Sequence, residues 1–360
     1  MKRILNSILI ILVAIGLQMG AVPALAKQPK YIFKTASLAP EGSVWTKRFR
    51  DFAAEVEEKS NGEIGFKIYA GGVMGDDRSM YRKMKIGQLH GGGFTMTGIS
   101  EVVPDFRVMG IPFFFKSYEE VDYVWAALWP RLKKEFAASD MELLAISEVG
   151  FIYTVSSKPI TTMQELRNSK AWTPEGDPIS KVFLETAGVS PIPLSIPDVL
   201  TSLQTGLIDT AFNSFYGSII LQWFTRIRYI TDIPFVYGYG AILFDRKTFS
   251  RLPPEYAALM EQSAQKHFGM LLADTRQSNM EALQVLRENN ITVVNATPET
   301  EKEIESYREK AVAKLVGSAF SRDIYEEALA ALTSFRKEHA SPPARETDAG
   351  KTPPDHETDR

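Results

Sequence analysis

The side chains that can carry catalysis or ligate a metal are few in this sequence and far apart. Of its four histidines, His339 and His356 lie in or beside the C-terminal tail. His90 and His267 have no carboxylate or histidine neighbour at the spacing typical of metal ligands. The sequence has no cysteine nucleophile and no H-E-x-x-H or G-x-S-x-G motif. It therefore predicts a protein that is not an enzyme, with no catalytic residue, no metal and no cofactor.

Two other segments resemble ion-binding motifs only in part. Residues 91–93 are three glycines, as in a phosphate loop, but no Lys-Ser/Thr pair follows and the helix that such a loop would open is missing. A tight turn or a close backbone approach is the better interpretation. Asp76 and Asp77 can bind a cation, yet adjacent carboxylates after a Gly-rich turn are usually solvated or cap a helix.

The elements around these residues alternate between strands and helices. Residues 31–36 predict a strand, Ser43 caps a helix with apolar residues at helical spacing, and residues 63–69 alternate as a second strand. Strand, helix and strand in this order predict a βαβ unit with a parallel strand pair. The first half also predicts a helix at 80–86, a strand at 91–95 and a helix at 118–136.

Two long strand-like segments, residues 143–155 and 230–244, divide the rest of the chain and can cross from one lobe to another. Between them, residues 159–214 contain strand and helix patterns in alternation, which predict a second sheet. A helical stretch of about forty residues then begins at Pro253, and residues 298–331 are mostly helical. The predicted fold class is α/β, with two lobes that share a hinge and hold a ligand in the cleft between them.

The boundaries of these parts follow from the same patterns. The hinge is predicted near residues 149–151 and 233–236, and the long helix is predicted to run along both lobes. The predicted parts are a first lobe at 27–150 with 234–275, a second lobe at 151–233 with 276–320, a C-terminal helix at 321–340, and a disordered tail at 341–360.

The first 26 residues predict an exported protein. Lys2 and Arg3 precede an apolar stretch at residues 8–17, and an A-x-A cleavage site ends at Ala26. Without Lys2 and Arg3 the chain has 39 basic and 44 acidic residues, so its formal charge is −5. This mild negative charge argues against a nucleic-acid partner. We expect a periplasmic protein whose stability comes from a buried core, because there is no cysteine for a disulfide.

Several short motifs occur in the order and spacing of one family. Residues 57–62 read E-E-K-S-N-G, Val103-Pro104 precedes P-F-F-F at 112–115, and residues 203–209 read L-Q-T-G-L-I-D, followed by Asn213. Together they resemble the extracytoplasmic solute-binding proteins of TRAP transporters, the DctP type, over about residues 31–315. The resemblance implies a periplasmic-binding-protein-like fold that closes on a ligand by hinge bending. It also implies delivery of that ligand to a membrane permease driven by an ion gradient.

One position departs from the pattern of this family. In most members a K-x-R-x-P segment begins the second lobe, and its arginine binds a substrate carboxylate. Here residues 170–174 read K-A-W-T-P, so Trp172 takes the place of the arginine. A carboxylate enclosed by the lobes loses its hydration and needs paired donors, whereas tryptophan offers one N–H and an apolar face. No lysine or arginine lies between Glu135 and Ser157, where a second basic residue often occurs.

We therefore expect the cleft to bind a small apolar, aromatic or weakly polar ligand. The expected lining is Trp172, Phe151, Tyr153, Phe212, Phe215 and Tyr216, with hydrogen bonds from Asn213, Ser37 and Thr95. Two alternatives stay open. Arg226 or Arg228 replaces the missing arginine, so that the ligand is an ordinary organic acid. Or the fold serves as a periplasmic interaction or sensory subunit that docks to a helical-repeat or receptor partner.

Overall fold

The main sheet connects the two halves of the chain. The structure is a computed structural model that describes residues 28–339, so the predicted cleavage site after Ala26 and the tail from Ser341 lie outside the described residues. The strands are β1 (Tyr31–Ser37), β2 (Ile64–Tyr69), β3 (Gly91–Thr95), β4 (Met141–Ser156), β5 (Trp172–Pro174), β6 (Ile192–Leu194), β7 (Thr210–Asn213), β8 (Tyr229–Asp245) and β9 (Thr292–Val294). In the main sheet the order is β2-β1-β3-β8-β4-β7, with β9 beside β8.

Strand pairing confirms the predicted βαβ unit and the two crossing strands. β1 pairs in parallel with β2 and with β3. β8 runs antiparallel to both β3 and β4. β4 and β8 have 16 and 17 residues, slightly more than predicted, and they pair along most of their length. Because both strands are long, a single sheet extends from one lobe into the other.

The prediction of a separate second sheet within residues 159–214 is only partly correct. β5 and β6 do form a two-stranded parallel sheet of their own. β7, however, pairs antiparallel with the C-terminal part of β4, from Tyr153 opposite Asn213 to Ser156 opposite Thr210. β4 pairs with β8 along one edge, and β7 joins the main sheet along the other edge of β4. A bridge between Ala171 and Thr210 links the small sheet to it.

The helices cover the sheet and span both lobes. They are α1 (Val44–Lys59), α2 (Asp77–Lys85), α3 (Met96–Ile99), α4 (Tyr118–Ala138), α5 (Met163–Arg167), α6 (Pro178–Thr186), α7 (Val199–Thr205), α8 (Phe215–Ile220), α9 (Arg246–Phe249), α10 (Pro254–Glu288), α11 (Pro298–Leu315) and α12 (Arg322–Glu338), besides 3₁₀ turns such as Pro104–Gly110. α10 has 35 residues, which corresponds to about 52 Å of helix. The predicted helical segment at 298–331 is interrupted, since Gly317 has φ +81° and a bridge joins Val316 to Phe320.

Three clusters of buried apolar side chains form the cores of the two lobes. Two lie on the two sides of the sheet in the first lobe, and the third fills the second lobe. Fully buried members are Phe106, Leu128 and Leu243 in the first cluster, Phe52, Phe244 and Met260 in the second, and Phe183, Trp223 and Ile230 in the third. Each lobe therefore has its own core, as two rigid bodies around a hinge require.

The crossing strands are irregular where they pass between the lobes. The β4–β8 register shifts between Glu148 and Gly150, and again between Ile152 and Thr154. Gly150 has φ +94°, a conformation that L side chains rarely adopt. Such bulges interrupt the ladder and bend a strand locally. These irregularities lie within or beside residues 149–151 and 233–236, where the sequence predicts the hinge.

Candidate ligand-binding site

A cavity of about 230 Å³ lies between the lobes, at the ends of β1, β3 and β7. Ser37, Thr95 and Asn213, the last residues of these strands, all line it. A buried apolar cavity of about 150 Å³ is known to hold benzene, so this one has room for a small ring compound with substituents. Its position agrees with the usual binding cleft of α/β proteins, outside the carboxyl ends of parallel strands.

The lining is mostly aromatic and aliphatic and contains no basic side chain. Asp177 is the one carboxylate among the lining side chains of the described chain, and lysine, arginine and histidine do not occur there. The aromatic lining residues are Trp45, Phe49, Phe94, Trp172, Phe212, Trp223, Phe235, Tyr237 and Tyr239. This composition favours an uncharged ligand with an apolar body, because an enclosed anion would find no counter-charge.

Trp172 lines the cavity through its ring and not through its N–H group. The side chain is 4% exposed, and its Nε1 donates to the backbone oxygen of Leu194 at 3.0 Å. Its ring packs edge to face against Trp223, with centroids 5.4 Å apart. Trp45, on the opposite wall, is bound in the same way, since its Nε1 donates to the oxygen of Glu148 at 2.7 Å. Both indoles therefore present apolar surface to a ligand.

Asn213 carries a free hydrogen-bond donor in this wall. Its side chain is 5% exposed, and Oδ1 accepts from the backbone N–H of Ser214 at 2.9 Å. Nδ2 is buried and has no hydrogen-bond partner among the described residues. A buried unpaired donor costs about 1–3 kcal/mol. An acceptor atom brought to Nδ2 would relieve that cost, so Asn213 is a candidate polar contact for a ligand.

The hydroxyl of Thr95 is already engaged by protein groups. It donates to Asp77 Oδ2 at 2.6 Å and accepts from the N–H of Gly98 at 3.2 Å. Asp76 caps α2 by accepting from the N–H of Ser79, as predicted for this pair. Asp77 differs, because it is neither solvated nor a cap: it is buried, and this burial raises its pKa to about 7.

Four of the predicted ligand residues lie away from the cavity wall. The bulge in β4 interrupts the usual alternation of side chains along a strand. Val149 and Ile152 line the cavity. Phe151 instead packs on Tyr118, with ring centroids 4.9 Å apart. Tyr153 stacks on Phe215 at 4.2 Å. Tyr216 lies beside Trp45, at 5.1 Å between centroids.

Several lining residues were not predicted. On β8, Phe235, Tyr237 and Tyr239 follow the period of two that defines one strand face, and this alternation is the signal that could have found them. Phe235 stacks on Phe212 at 4.7 Å. Burial raises the pKa of both tyrosines, so they line the wall as neutral phenols.

Asp177 was also missed. It is 4% exposed and caps α6, with its oxygens accepting from the N–H groups of Ile179 and Ser180 at 3.0 and 3.3 Å. Burial raises its pKa, an effect opposed by Ser180, by backbone N–H groups and by Arg107. No periodic pattern marks a single carboxylate of this kind, because an N-cap aspartate is normally solvated.

The arginines do not replace the one that the family pattern expects. Arg226 and Arg228 are exposed, and neither lines the cavity. Arg107 is buried but lies outside the lining, and its Nη1 donates to the oxygen of Ala319 at 3.0 Å. Its Nε has no hydrogen-bond partner among residues 28–339. Burial lowers the pKa of Arg107, while Asp177 opposes that shift.

The fold and the cavity together define a two-lobed binding protein. Residues 35–318 match the family model for DctP, the bacterial extracellular solute-binding proteins of family 7. The chain therefore belongs to this family, the solute-binding proteins of TRAP transporters, and these are receptors rather than enzymes. In the described part of the chain no helix is long and apolar enough to cross a membrane, and no group of three or more acidic, histidine or cysteine side chains is placed to hold a metal.

Relatives and solved structures agree with this assignment. The 2,3-diketo-L-gulonate-binding periplasmic protein YiaO of Escherichia coli is 22% identical over 73% of this chain and 79% of its own length. A solute-binding protein of Chromohalobacter salexigens is 27% identical over 47% of this chain, so the match spans about half of that relative (51%). The sugar acid binding protein DctPAm of Advenella mimigardefordensis, in complex with galactonate, has a TM-score of 0.80 at 21% identity, covering 85% of this chain and 99% of that one. A TRAP periplasmic solute-binding protein of Desulfovibrio salexigens with bound orotic acid has a TM-score of 0.78 at 19% identity, covering 86% and 99%.

Proposed function

We propose that this protein captures a small, uncharged ligand with an apolar or aromatic body and delivers it to the membrane permease of a TRAP transporter. The ligand carries one hydrogen-bond acceptor, which receives the free N–H of Asn213 Nδ2. Its body lies against the rings of Trp172, Phe212 and Trp223. The proposal differs from the ligands of the similar structures, whose names mention galactonate and orotic acid, both organic acids.

The observation that carries this proposal is the absence of a basic side chain from the lining formed by residues 28–339. Burying a carboxylate without a paired donor costs several kcal/mol. The indole N–H groups of two of the three lining tryptophans, Trp45 and Trp172, are bound to backbone carbonyls and cannot contribute. The carboxyl group of Asp177 would add repulsion to any bound anion.

The hydrogen-bonding capacity of the wall is small but directional. Asn213 offers the unpaired donor, and Ser37, Ser147 and Ser180 add hydroxyl groups that can donate or accept. Asp177 can accept from an N–H or O–H of the ligand. A neutral carbonyl, amide or hydroxyl compound therefore fits this wall better than an acid of the same size.

Mass spectrometry under native conditions tests the proposal, because an apolar cavity often retains its ligand during purification. We expect protein purified from the periplasm to carry an extra mass that organic extraction identifies as a neutral apolar or aromatic compound. Calorimetry then compares benzamide with benzoate, which have the same ring but differ in charge. We expect benzamide to bind at least tenfold more tightly. Micromolar binding of benzoate, galactonate or orotic acid would instead show that the protein binds organic acids.

The export, the cellular location and the partners belong to the same proposal. We infer that the chain is cleaved after Ala26 and acts in the periplasm, where the family works. The docking role is the alternative outcome. If the cavity stays empty in every preparation, a pull-down from periplasm, with and without residues 341–360, shows whether a protein partner binds in place of a small ligand.

A further inference from the structure

The bulge in β4 presents two successive backbone carbonyls to side chains on either side of the cleft. Glu148 pairs with Tyr239 of β8 and Gly150 with Gly238, so Val149 is the extra residue between them. The oxygen of Glu148 accepts from Trp45 Nε1 at 2.7 Å. The oxygen of Val149 accepts from Asn279 Nδ2 at 3.0 Å. Both acceptors move whenever the backbone rotates at this point.

Asn279 connects the bulge to the second lobe. It is buried on α10, and its Oδ1 accepts from the backbone N–H of Tyr216, in the first turn of α8, at 3.0 Å. Gly150 packs closely against it, since a Cβ added at Gly150 would lie 2.7 Å from Asn279 Nδ2. The amide of Asn279 thus bonds to the hinge strand with one end and to α8 with the other.

Trp45 and Tyr216 meet between the lobes. Their ring centroids are 5.1 Å apart, and the Tyr216 hydroxyl accepts from the backbone N–H of Val44 at 3.0 Å. Val44 is the first residue of α1, whose N–H has no partner within its own helix. The second lobe therefore supplies an acceptor that the first helix of the other lobe lacks. Trp45 also lines the ligand cavity.

We propose that Trp45 and Tyr216 form a gate over the cavity and that Asn279 is the positioning residue that couples this gate to the hinge at Val149. When the hinge rotates, the carbonyls of residues 148 and 149 move together, and both halves of the gate move with them. Gate and hinge therefore open in one step. The proposal rests on the proposed function only in that the gate covers the same cavity.

Distance measurements between the lobes test the gate without a ligand. The chain has no cysteine, so Lys47→Cys and Arg226→Cys, both exposed positions in different lobes, give one clean pair for spin labels. Asn279→Ala removes the bonds to Val149 and Tyr216, besides one to Thr275 within α10, and we expect the ratio of long to short distances to rise roughly 5- to 30-fold. Tyr216→Phe keeps the ring contact and should give a smaller rise. Asn289→Ala, the same deletion just beyond the end of α10, should leave the distribution unchanged.

A second measurement follows the gate itself. The chain has five tryptophans, so the ¹⁹F spectrum of protein labelled with 5-fluorotryptophan has few resonances, and Trp45→Phe assigns the one of interest. We expect this resonance to shift in Asn279→Ala and in Tyr216→Phe, while the resonance of Trp129 stays in place.

The distance and ¹⁹F measurements together show whether the gate exists. If Asn279→Ala lowers thermal stability but leaves the distances and the Trp45 resonance unchanged, Asn279 is merely structural and the gate is wrong. If that variant does not fold, Tyr216→Phe decides by the same two readouts. The proposed function can fail separately: no neutral ligand would then bind, although the distances still shift.

Discussion

The ligand cavity and the hinge behind it differ in how their buried carboxyl groups are paired. At the hinge, Glu148 is fully buried, and Arg276 of α10 donates to both of its carboxylate oxygens at 2.9–3.2 Å. Arg276 also binds Asp122 at 2.6 and 2.8 Å, and Glu148 accepts from the Tyr237 hydroxyl at 2.9 Å. In the cavity, Asp177 has no such ion pair. A guanidinium paired with a buried carboxylate therefore lies at the hinge, while none occurs in the cavity lining formed by residues 28–339.

The protonation equilibria follow the same division. Burial opposes the charged form of Arg276, but Asp122 and Glu148 outweigh it, so its pKa is raised. Burial raises the pKa of Glu148, while Arg276 acts against that shift. Beside the cavity, burial raises the pKa of Asp77 to about 7 with no basic partner. The hinge is thus a region of compensated charge, and the cavity wall is one where charge is suppressed.

Removal of the hinge arginine should have the largest effect. Arg276→Ala leaves the carboxylate of Glu148 buried without its cation, so we expect the free energy of unfolding at pH 7 to fall by about 3–5 kcal/mol. Urea denaturation measures this change. Arg287→Ala, on the last turn of the same helix and exposed, should cost less than about 0.5 kcal/mol. Equal losses in both variants would contradict the compensated hinge.

Introduction of an arginine into the cavity should reverse its preference. Trp172→Arg supplies paired donors to a carboxylate, and we expect binding of benzoate or orotic acid to tighten by about 2–3 kcal/mol, while benzamide loses its stacking surface. Calorimetry with these three compounds measures the change. Trp129→Arg, on α4 and outside this cavity, is the matched control. If Trp172→Arg gains no affinity for acids, the missing arginine is not what limits the cavity.

The contribution of Asp77 to the unfolding free energy should decrease with rising pH, whereas that of a paired carboxylate increases. The pKa of Asp77 rises from 3.8 to about 7 on folding, so the folded state binds its proton more tightly than the unfolded state. The unfolding free energy should then fall as the pH rises from about 4 to 7, because only the folded state holds the proton in this range. Asp77→Asn should lack this loss. Denaturation of both proteins at pH 4.5 and pH 8 measures it, and parallel curves would show that Asp77 is charged throughout.

The smallest expected effect is that of a substitution at Tyr237, where the hydroxyl and the ring have different contacts. Tyr237→Phe removes the hydroxyl that binds Glu148 but keeps the ring on the cavity wall. We expect a loss of about 1 kcal/mol in unfolding free energy and no change in benzamide affinity. Tyr123→Phe, at a partly exposed position on α4, should change neither quantity. A change in affinity without a change in stability would mean that the hydroxyl acts on the ligand.

Local patterns predicted those parts of the fold that depend on neighbouring residues. Ser43 caps α1 as expected, and the crossing strands have nearly the predicted lengths. The pairing of β7 with β4 was not predicted, because it depends on which edge of β4 is left unpaired by β8 and not on the sequence of β7. For the cavity, the strand ends Ser37, Thr95 and Asn213 were predicted to contribute and line it.

The misplacement of Phe151 and Tyr153 has a physical cause in the bulge of β4. Phe151 and Tyr153 were assigned to the cleft as aromatic residues of a crossing strand, but the bulge between Glu148 and Gly150 determines which face each side chain takes. Such a register shift leaves little trace in the sequence beyond a single glycine. The free donor of Asn213 likewise depends on the burial that two lobes create together.

Tyr237 limits how the ligand specificity of this protein can be altered. The same residue lines the cavity and binds the hinge carboxylate, so we expect loss of its ring and hydroxyl together to alter ligand selectivity and closure at once. Trp172 and Phe212 belong to the core of the second lobe, and neither side chain forms a hydrogen bond with Glu148 or Arg276. A biosensor made from this scaffold should therefore vary these two positions and keep Tyr237, so that new ligands still produce the same closing motion.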